Sequence, residues 1–382
     1  MKKFNSLYND IEKYKLCFEA IAVINSDYAY GASSTFNGLF LINLKNGKCE
    51  FITCFPDEAM NGERLFYSAC YLEEKVFFAP QAAKHIHIFH VKTQKITKIE
   101  VPEEVYRVYN RNIKFCEAFV YDSKVIMVGA CCPAVVVIDP LLEKIIYYPI
   151  LIEDSFLFRK GVVRNSRYFV ASSISNLFIE INLDTMEIKT HRLPINKKGT
   201  WNLCDDTKYL WFTPRYEGEC FIRWNPDVDI MEEVELIVNE TVAQTGFLYT
   251  YYMDGYLYTI PESADMSVCI NVSTLEVKEN CSIPRLMNEK MGLCFLYGEV
   301  LCLVKTPREK TFYEQKGVNF YYLNKYTREI REVTFLFFKG YEKFLSAYAK
   351  DLLYKKKCFK ENRDYDLLTF LKLQMCYRDG EK

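Results

Sequence analysis

The chain has 382 residues, with 49 Lys or Arg against 50 Asp or Glu, so its formal net charge at pH 7 is −1. A chain of this length buries about three quarters of its unfolded surface, so it needs no disulfide cross-links to fold. The balanced charge argues against nucleic acid and anionic membranes as main partners, because phosphate binding requires a surplus of basic residues.

The N-terminal extension, residues 1–17, shows no apolar stretch of the signal-peptide type, since polar residues such as Asn9 and Asp10 interrupt it. The most apolar uncharged stretch, 125–138, is shorter than the roughly 20 residues that span a bilayer. The 15 cysteines include no C-x-x-C pair, and several lie in apolar runs, which is typical of buried free thiols. We therefore expect a cytoplasmic protein with reduced thiols, no cofactor and no membrane association.

One short pattern recurs seven times in chain order. Each copy has an apolar tetrad, a polar hinge residue, four or five turn residues and a new β run. Asn and Asp at such a place hydrogen-bond to their own backbone and start a turn, so the pattern predicts a β-hairpin. The hinges, spaced 43 to 53 residues apart, are Asn43, His90, Asp139, Asn182, Asn225, Asn271 and Asn324.

Each hinge belongs to a larger unit of four predicted strands. In the second copy these are LFYSACY, VFFAP, IHIFH and ITKIEV, joined by short turns and one loop. Four hairpin-connected strands in about 43–53 residues match the size of a propeller blade, whereas a solenoid coil has one or two strands. The sequence thus predicts an all-β fold, a seven-bladed β-propeller of four-stranded antiparallel blades over residues 18–337. The blades are expected at 18–54, 65–101, 114–150, 158–193, 199–236, 247–282 and 291–337.

In blade length and strand order, residues 18–337 resemble the broad kelch-like and WD-like group of β-propeller repeats. The resemblance implies the fold but no function, because propellers include enzymes, scaffolds and ligand binders. The WD dipeptide is absent. The kelch Gly-Gly pair is also absent, and its positions hold Ala79-Pro80, Gly129-Ala130 or Ile260-Pro261.

Residues 338–382 differ in character and predict a short helical C-terminal extension. Apolar residues at three- and four-residue steps, such as Phe344, Leu345 and Tyr348, are typical of an amphipathic helix, and Asp364–Met375 predicts a second one. We expect these helices to pack on the ring and cover the seam where it closes. An apolar stripe offered to a partner, or attachment to a membrane, remains open.

The loops predict where a partner binds. In a propeller the connections between blades and the loops between strands two and three lie at the same end, and rigidly held loops usually carry binding residues. Arginine, tyrosine and mixed charges at this end are typical of a protein-binding surface. The candidate binding residues are Arg64, Lys84, Tyr109, Arg111, Arg215 and Glu262.

His85 and His87 are the one sequence feature that suggests a metal. Alternate residues of a strand share a face, so both rings can reach one ion. The sequence shows no third ligand beside them, and the equivalent positions of other copies are small or apolar. We therefore expect a pair of histidines packed in a sheet face and no metal site.

No catalytic motif stands in a suitable context, so we expect a non-enzymatic interaction module. It would be a cytosolic scaffold or adaptor that binds a protein or peptide on its loop face. The alternative is an enzyme or small-ligand binder, for a carbohydrate or other polar ligand, with carboxylates at the mouth of the central channel. Glu117, in the middle of a predicted innermost strand, tests this alternative, since hydrolysis needs a second carboxylate about 5–10 Å away. The sequence gives no information on oligomeric state.

Overall fold

The computed structural model describes most of the chain between residues 16 and 340. The described residues are 16–60, 62–102, 113–194, 199–216, 218–238, 241–242, 246–261, 264, 266–279, 291–297, 300–305, 319–324, 330–340, 343–344 and 346–347. The sequence of the seventh repeat also predicts an insertion at 306–317, between its second and third strands, and this segment lies outside the described residues.

The first four repeats each form one antiparallel sheet in which consecutive strands pair in chain order. The first and second sheets comprise β1 (Phe18–Val23), β2 (Tyr28–Ser33), β3 (Leu39–Asn43), β4 (Lys48–Thr53), β5 (Phe66–Leu72), β6 (Lys75–Pro80), β7 (His85–His90) and β8 (Lys95–Glu100). The third and fourth comprise β9 (Phe115–Tyr121), β10 (Lys124–Gly129), β11 (Ala134–Asp139), β12 (Lys144–Pro149), β13 (Val162–Arg164), β14 (Arg167–Ala171), β15 (Leu177–Asn182) and β16 (Ile188–Arg192).

The later repeats continue the same order, with one small addition. The fifth sheet comprises β17 (Thr200–Asp205), β18 (Leu210–Pro214), β19 (Phe221–Asn225) and β20 (Ile230–Val234), and a two-stranded hairpin, β21 (Ile237–Val238) with β22 (Thr241–Val242), follows it. The remaining strands are β23 (Phe247–Met253), β24 (Tyr256–Pro261), β25 (Val268–Asn271), β26 (Val277–Glu279), β27 (Met291–Tyr297), β28 (Val300–Lys305), β29 (Asn319–Asn324), β30 (Ile330–Thr334) and β31 (Leu336–Lys339). The prediction of an all-β chain built from four-stranded antiparallel sheets is confirmed.

The hinge residues start turns in the way the sequence predicts. The Asn43 Oδ1 atom accepts hydrogen bonds from the Lys45 and Asn46 amides at 3.0 and 3.2 Å, and four other Asn or Asp hinges accept from their own turns. Four residues after each of six hinges the backbone has positive φ, as at Gly47 (71°) and Glu143 (50°). A turn that ends in a left-handed residue is a common hairpin connection, so this local pattern fixes the register of strands three and four.

The tight turns between strands one and two have a second local signature. Both central residues have positive φ in the second repeat, Glu73 (48°) and Glu74 (58°), and in three further repeats. Two left-handed residues in succession form the turn whose twist matches the twist of paired strands.

The core consists of apolar clusters between successive sheets. The first strands of consecutive sheets lie side by side, and buried side chains of neighbouring sheets interdigitate behind them. Tyr30 of the first sheet meets Phe89 of the second with ring centroids 4.9 Å apart, and Phe178 meets Trp224 at 5.1 Å between the fourth and fifth. Each sheet is therefore stabilised mainly by its neighbours.

The end of the described chain joins the first sheet. Strand β31 pairs in parallel with β4, and the Leu16 amide donates to the Phe335 carbonyl at 2.8 Å. Phe335 and Phe337 are buried in the cluster of the first sheet, against which Phe344 also packs. A strand from beyond the last repeat thus ties the two ends together, because the outer edge of β4 offers unpaired backbone groups.

This closing strand includes the first residues of the predicted C-terminal extension. The extension was expected to be helical from residue 338, but Phe338 and Lys339 belong to β31. No helix stands as an element of the described chain; beyond residue 340 only residues 343–344 and 346–347 are described, and they have helical backbone. The predicted helices at 348–382 lie outside the described part. In the described part of the chain, no helix is long and apolar enough to cross a membrane.

Candidate functional site: the loop end of the first strands

A β-bulge near the start of the first strand recurs along the chain. The pairing of β1 with β2 shifts between Phe18 and Ala20, and the first strands of the second, third, fifth, sixth and seventh sheets shift at the same place. The fourth repeat has the same shift. Phe158 pairs with Ser172 and Val162 pairs with Phe169, so the first strand advances four residues where its partner advances three. A bulge redirects a side chain and is frequent beside functional sites. The residues at this position are Glu19, Tyr67, Cys116, Arg159, Trp201, Leu248 and Gly292.

Glu19 is a buried carboxylate at this position. Its side chain is 1% exposed and pairs with Arg64, whose Nη2 atom lies 2.7 Å from Oε1, while Oε2 has no hydrogen-bond partner among the described residues. Burial raises the pKa of Glu19, and the positive charges of Arg64 and Arg159 act in the opposite direction. Since Glu19 lies in the first repeat and Arg159 in the fourth, charges from distant repeats influence one another here.

Trp201 carries two arginines on its ring. The Arg159 and Arg215 guanidinium carbons lie 4.9 and 4.4 Å from the indole centroid, and Arg215 is also 5.1 Å from the Tyr216 ring. Ser173 orients both arginines, because its carbonyl accepts from Arg215 and its hydroxyl from Arg159. Neither guanidinium forms an ion pair with a carboxylate in the described part of the chain. We call Glu19, Arg64, Arg159, Trp201 and Arg215 the loop-end cluster.

At the residue that follows the bulge position, polar side chains connect the first strand of one sheet to the next sheet. In three places the side chain accepts a hydrogen bond from a backbone amide of the next sheet, which satisfies an edge-strand donor that would otherwise be unpaired. The pairs are Ser68 with Ala118 (3.0 Å), Glu117 with Gly161 (3.0 Å) and Asn202 with Thr250 (3.1 Å).

Glu117 therefore has a structural role. Its Oε2 atom also accepts from the Tyr168 hydroxyl at 2.6 Å, and Tyr168 is buried. Gly161 permits this approach, since a Cβ there would lie 2.5 Å from the Tyr168 hydroxyl oxygen. With its acceptor engaged by the next sheet, Glu117 gives no support to the hydrolytic alternative.

The described residues contain one group that can hold a metal ion. It comprises Glu58, in the connection before β5, with His85 and His87 of β7. The His85 Nδ1 atom lies 3.8 Å from the Glu58 Oε1 atom. Burial raises the pKa of Glu58 and lowers that of His87. The sequence suggested the two histidines but not Glu58, which lies 27 positions before His85.

A cleft of about 390 Å³ lies elsewhere, between the third and fourth sheets. Ile126, Val137 and Leu183 line it, and charged residues including Lys124 and Asp184 surround them. The cleft is near the hairpin turns, at the end of the sheets opposite the loop-end cluster.

The buried thiols are poorly suited to nucleophilic chemistry. Burial raises the pKa of Cys17 and of Cys132 to about 12, and that of Cys116 is raised as well. A thiol acts as a nucleophile in its thiolate form. These cysteines fit the expectation that they serve as small buried apolar residues.

The structure places three of the six predicted binding residues. Arg64 pairs with Glu19, Arg215 lies on Trp201, and the exposed Lys84 donates its backbone amide to Glu58 at 2.8 Å. Arg64 and Arg215 belong to the loop-end cluster, whereas Lys84 lies beside the histidines. Tyr109, Arg111 and Glu262 lie outside the described residues.

Sequence reasoning missed Glu19, Arg159 and Trp201 as members of this cluster. The missed signal was the residue that follows the Phe, Thr or Met near the start of each innermost strand. That position is charged or aromatic in several repeats, although its neighbours are mostly apolar.

The chain matches no protein-family model and no curated protein. Among solved structures it is similar to virginiamycin B lyase from Staphylococcus aureus, at 13% identity and a TM-score of 0.54, over 76% of this chain and 92% of that chain. It is also similar to YCF48 bound to D1 peptide, at 10% identity and a TM-score of 0.56, over 77% and 90% of the two chains. YCF48 from Cyanidioschyzon merolae gives 9% identity and 0.53, over 77% and 94%.

These structures define the class of fold, since they are β-propeller proteins and the similarity extends over 90–94% of their chains. The protein therefore has a β-propeller repeat fold. At such low identity the similarity shows the fold alone, and it does not single out the kelch-like or WD-like group.

Proposed function

We propose that the protein is a non-enzymatic interaction module that binds a protein or peptide segment with an acidic group at the loop-end cluster. The observation that carries this proposal is the pair of guanidiniums on Trp201. Two like charges are held on one ring by cation–π contacts and by Ser173, without a carboxylate partner among the described residues. A carboxylate placed between them would form charge-assisted hydrogen bonds with both.

The remaining members of the cluster fit the same ligand. Arg64 is paired with Glu19, whereas Arg159 and Arg215 form no ion pair with a carboxylate among the described residues. Trp201 and Tyr216 are partly exposed and offer apolar area next to this charge, and such aromatic and arginine residues dominate the affinity of many interfaces. YCF48, which has a similar fold, is bound to a peptide, so a propeller of this kind can accommodate one.

The proposal includes a ring of seven blades, residues 18–337, working in the cytoplasm as a scaffold or adaptor. Seven repeats of four strands and the joining of β31 to β4 support the ring. The free thiols among the described cysteines support a reducing compartment.

The test is selection from a random peptide library with the full-length protein, followed by affinity measurements on the selected peptides. We expect these peptides to contain Asp or Glu, and we expect their Asn or Gln versions to bind at least about tenfold more weakly, which is roughly 1.4 kcal/mol. Arg215→Gln should weaken binding by a similar factor. Binding should also weaken as salt concentration rises.

Arg223→Gln is the matched control. Arg223 lies in the same sheet and also stacks on aromatic rings, 4.4 Å from Tyr209 and 5.7 Å from Trp211, but outside the loop-end cluster. This variant should keep its peptide affinity. Selected peptides that lack acidic groups, or that bind Arg215→Gln as well as the wild-type protein, would overturn the proposal.

The alternative, a binder or enzyme for a small polar ligand, is favoured by one observation. Glu19 is a buried carboxylate with a raised pKa, at the same end of the sheets, and its Oε2 atom has no hydrogen-bond partner among the described residues. A raised pKa is a feature of carboxylic acids that donate a proton in catalysis. If the library yields no peptide while small polar compounds bind and Glu19→Gln abolishes their binding, the alternative replaces the peptide proposal.

A further inference from the structure

We propose that Glu58, His85 and His87 form a binding site for a divalent transition-metal ion between the first two sheets. The inference does not depend on the proposed peptide function. His85 and His87 are alternate residues of β7 and so lie on one face of the strand. Glu58 comes from the connection between β4 and β5, which crosses that face.

The ligand atoms are nearly at coordination distance. One atom from each of the three residues lies within 4.8 Å of the other two, and the His85 Nδ1 and Glu58 Oε1 atoms are 3.8 Å apart. A tetrahedral ion with bonds of about 2.0–2.2 Å holds its ligand atoms about 3.3–3.6 Å apart. Side-chain shifts of a few tenths of an ångström to about 1 Å would complete this geometry.

The site contains more hydrogen-bond acceptors than donors. The His85 Nδ1 atom is buried and has no hydrogen-bond partner among the described residues. The Glu58 carboxylate that it faces lies 3.8 Å away, beyond hydrogen-bond distance. Both ring nitrogens of His87 face backbone carbonyls, Nδ1 the one of His85 at 3.2 Å and Nε2 the one of Pro56 at 3.1 Å. A neutral imidazole has one N–H, so one nitrogen of His87 directs its lone pair at an oxygen.

A cation removes this conflict. The His87 ring is fully buried among aromatic side chains, so bulk water cannot relieve the conflict. A metal ion takes the lone pair of one nitrogen, while the other N–H donates to a carbonyl. That is the usual arrangement of a metal-bound histidine.

The surroundings hold the ligands in place without the ion. Asn37 is buried, and its side chain donates to the Phe55 and Glu58 carbonyls at 2.9 and 3.0 Å, which fixes the connection. The Lys84 amide donates to Glu58 Oε1 at 2.8 Å and orients the carboxylate. The aromatic rings of Phe55 and Phe66 pack on His87, each with centroids 5.4 Å apart.

Two imidazoles and one carboxylate define the class of ion. Imidazole suits zinc, copper, nickel and iron, whereas magnesium and calcium prefer sites made of oxygen ligands. Three protein ligands leave a fourth position for water or a backbone carbonyl.

The experiment is titration of the full-length, chelator-treated protein with Co²⁺, read by visible absorption, and with Zn²⁺, read by the melting temperature. We expect one Co²⁺ per chain with nitrogen and oxygen coordination, no thiolate-to-cobalt charge-transfer band, and a melting temperature that rises with Zn²⁺. Glu58→Gln and His85→Asn should each weaken binding at least about tenfold and abolish the thermal shift. His85 is at the surface end of the pair, so His85→Asn spares the buried ring.

His90→Gln is the matched control, because His90 lies on the same strand but bonds Thr97 at 2.9 Å instead. Its binding curve should equal that of the wild-type protein, and circular dichroism verifies that each variant is folded. Absence of binding to the folded wild-type protein would overturn the proposal. So would equal binding by Glu58→Gln and His85→Asn, or a thiolate band, which would place the ion on cysteines.

Discussion

Replacing Asn202 by alanine tests whether side chains that connect the first strands stabilise the whole fold. Asn202 is buried in β17, and it bonds the backbone of Thr250 in the next sheet twice. Its Oδ1 atom accepts from the Thr250 amide at 3.1 Å, and its Nδ2 atom donates to the Thr250 carbonyl at 3.0 Å and to the Leu203 carbonyl at 3.1 Å. Alanine leaves these three backbone groups without their partner.

The expected cost follows from the burial of those groups. Thr250 is 1% exposed, so its amide and carbonyl lose a partner without gaining bulk water. Leaving one buried group unsatisfied costs about 1–3 kcal/mol, so we expect Asn202→Ala to lower the free energy of unfolding by about 2–5 kcal/mol. Proteins of ordinary stability unfold with about 5–15 kcal/mol, so this is a large effect.

The assay is urea denaturation followed by tryptophan fluorescence and by far-ultraviolet circular dichroism. All three tryptophans, Trp201, Trp211 and Trp224, lie in the fifth repeat, so fluorescence reports one sheet and circular dichroism the whole chain. If the ring unfolds cooperatively, both signals shift together in the variant. Asn46→Ala is the control, because Asn46 is exposed and its side chain accepts from the nearby Lys48 amide within the same turn.

Hydrogen exchange supplies a second readout at the Thr250 amide. This amide is protected by the Asn202 side chain rather than by the neighbouring strand β24, so its exchange should accelerate in Asn202→Ala. A loss of stability below about 0.5 kcal/mol, the size of an ordinary surface substitution, together with unchanged exchange would refute the reasoning.

Two further predictions concern Glu19 and the closing strand. Because burial raises the folded-state pKa of Glu19 above 4.5, its contribution to stability is fully present below about pH 4.5 and is lost as pH rises through the folded pKa. The free energy of unfolding of the wild-type protein, minus that of Glu19→Gln, should therefore fall from pH 4.5 towards neutrality, and a difference that is flat with pH contradicts this. Phe337→Ala should cost about 3–5 kcal/mol in urea denaturation, since Phe337 is buried beside Phe40 at 5.3 Å. The adjacent Phe338 is 53% exposed, so equal losses in Phe337→Ala and Phe338→Ala would show that β31 does not bury its apolar face.

The strands and turns were predictable because their signals are local. A hinge such as Asn43 or Asn271 accepts bonds from residues two and three positions later, so the interaction that sets the turn lies within one short segment. Alternating apolar residues then specify which face of each strand is buried. Strand β31 was not predicted, because it pairs with a partner almost 290 positions earlier in the chain.

The candidate sites were only partly predictable because their members are distant in sequence. Arg64 and Arg215 were identified from loop composition, but the first pairs with Glu19 and the second stacks on Trp201, and neither contact has a local signal. His85 and His87 were recognised as a possible pair of ligands, whereas Glu58 joins them only through the folding of the connection.

The sequence by itself determined the repeat, the four-strand unit and its turns, since backbone hydrogen bonding and alternating polarity act over a few residues. Only the tertiary structure decided which side chains meet at the ends of the sheets. The bulge that positions Glu19, Arg159 and Trp201 appears in the strand pairing and not in composition. Contacts between sheets depend on how whole repeats pack, and that packing combines weak apolar contributions from many residues at once.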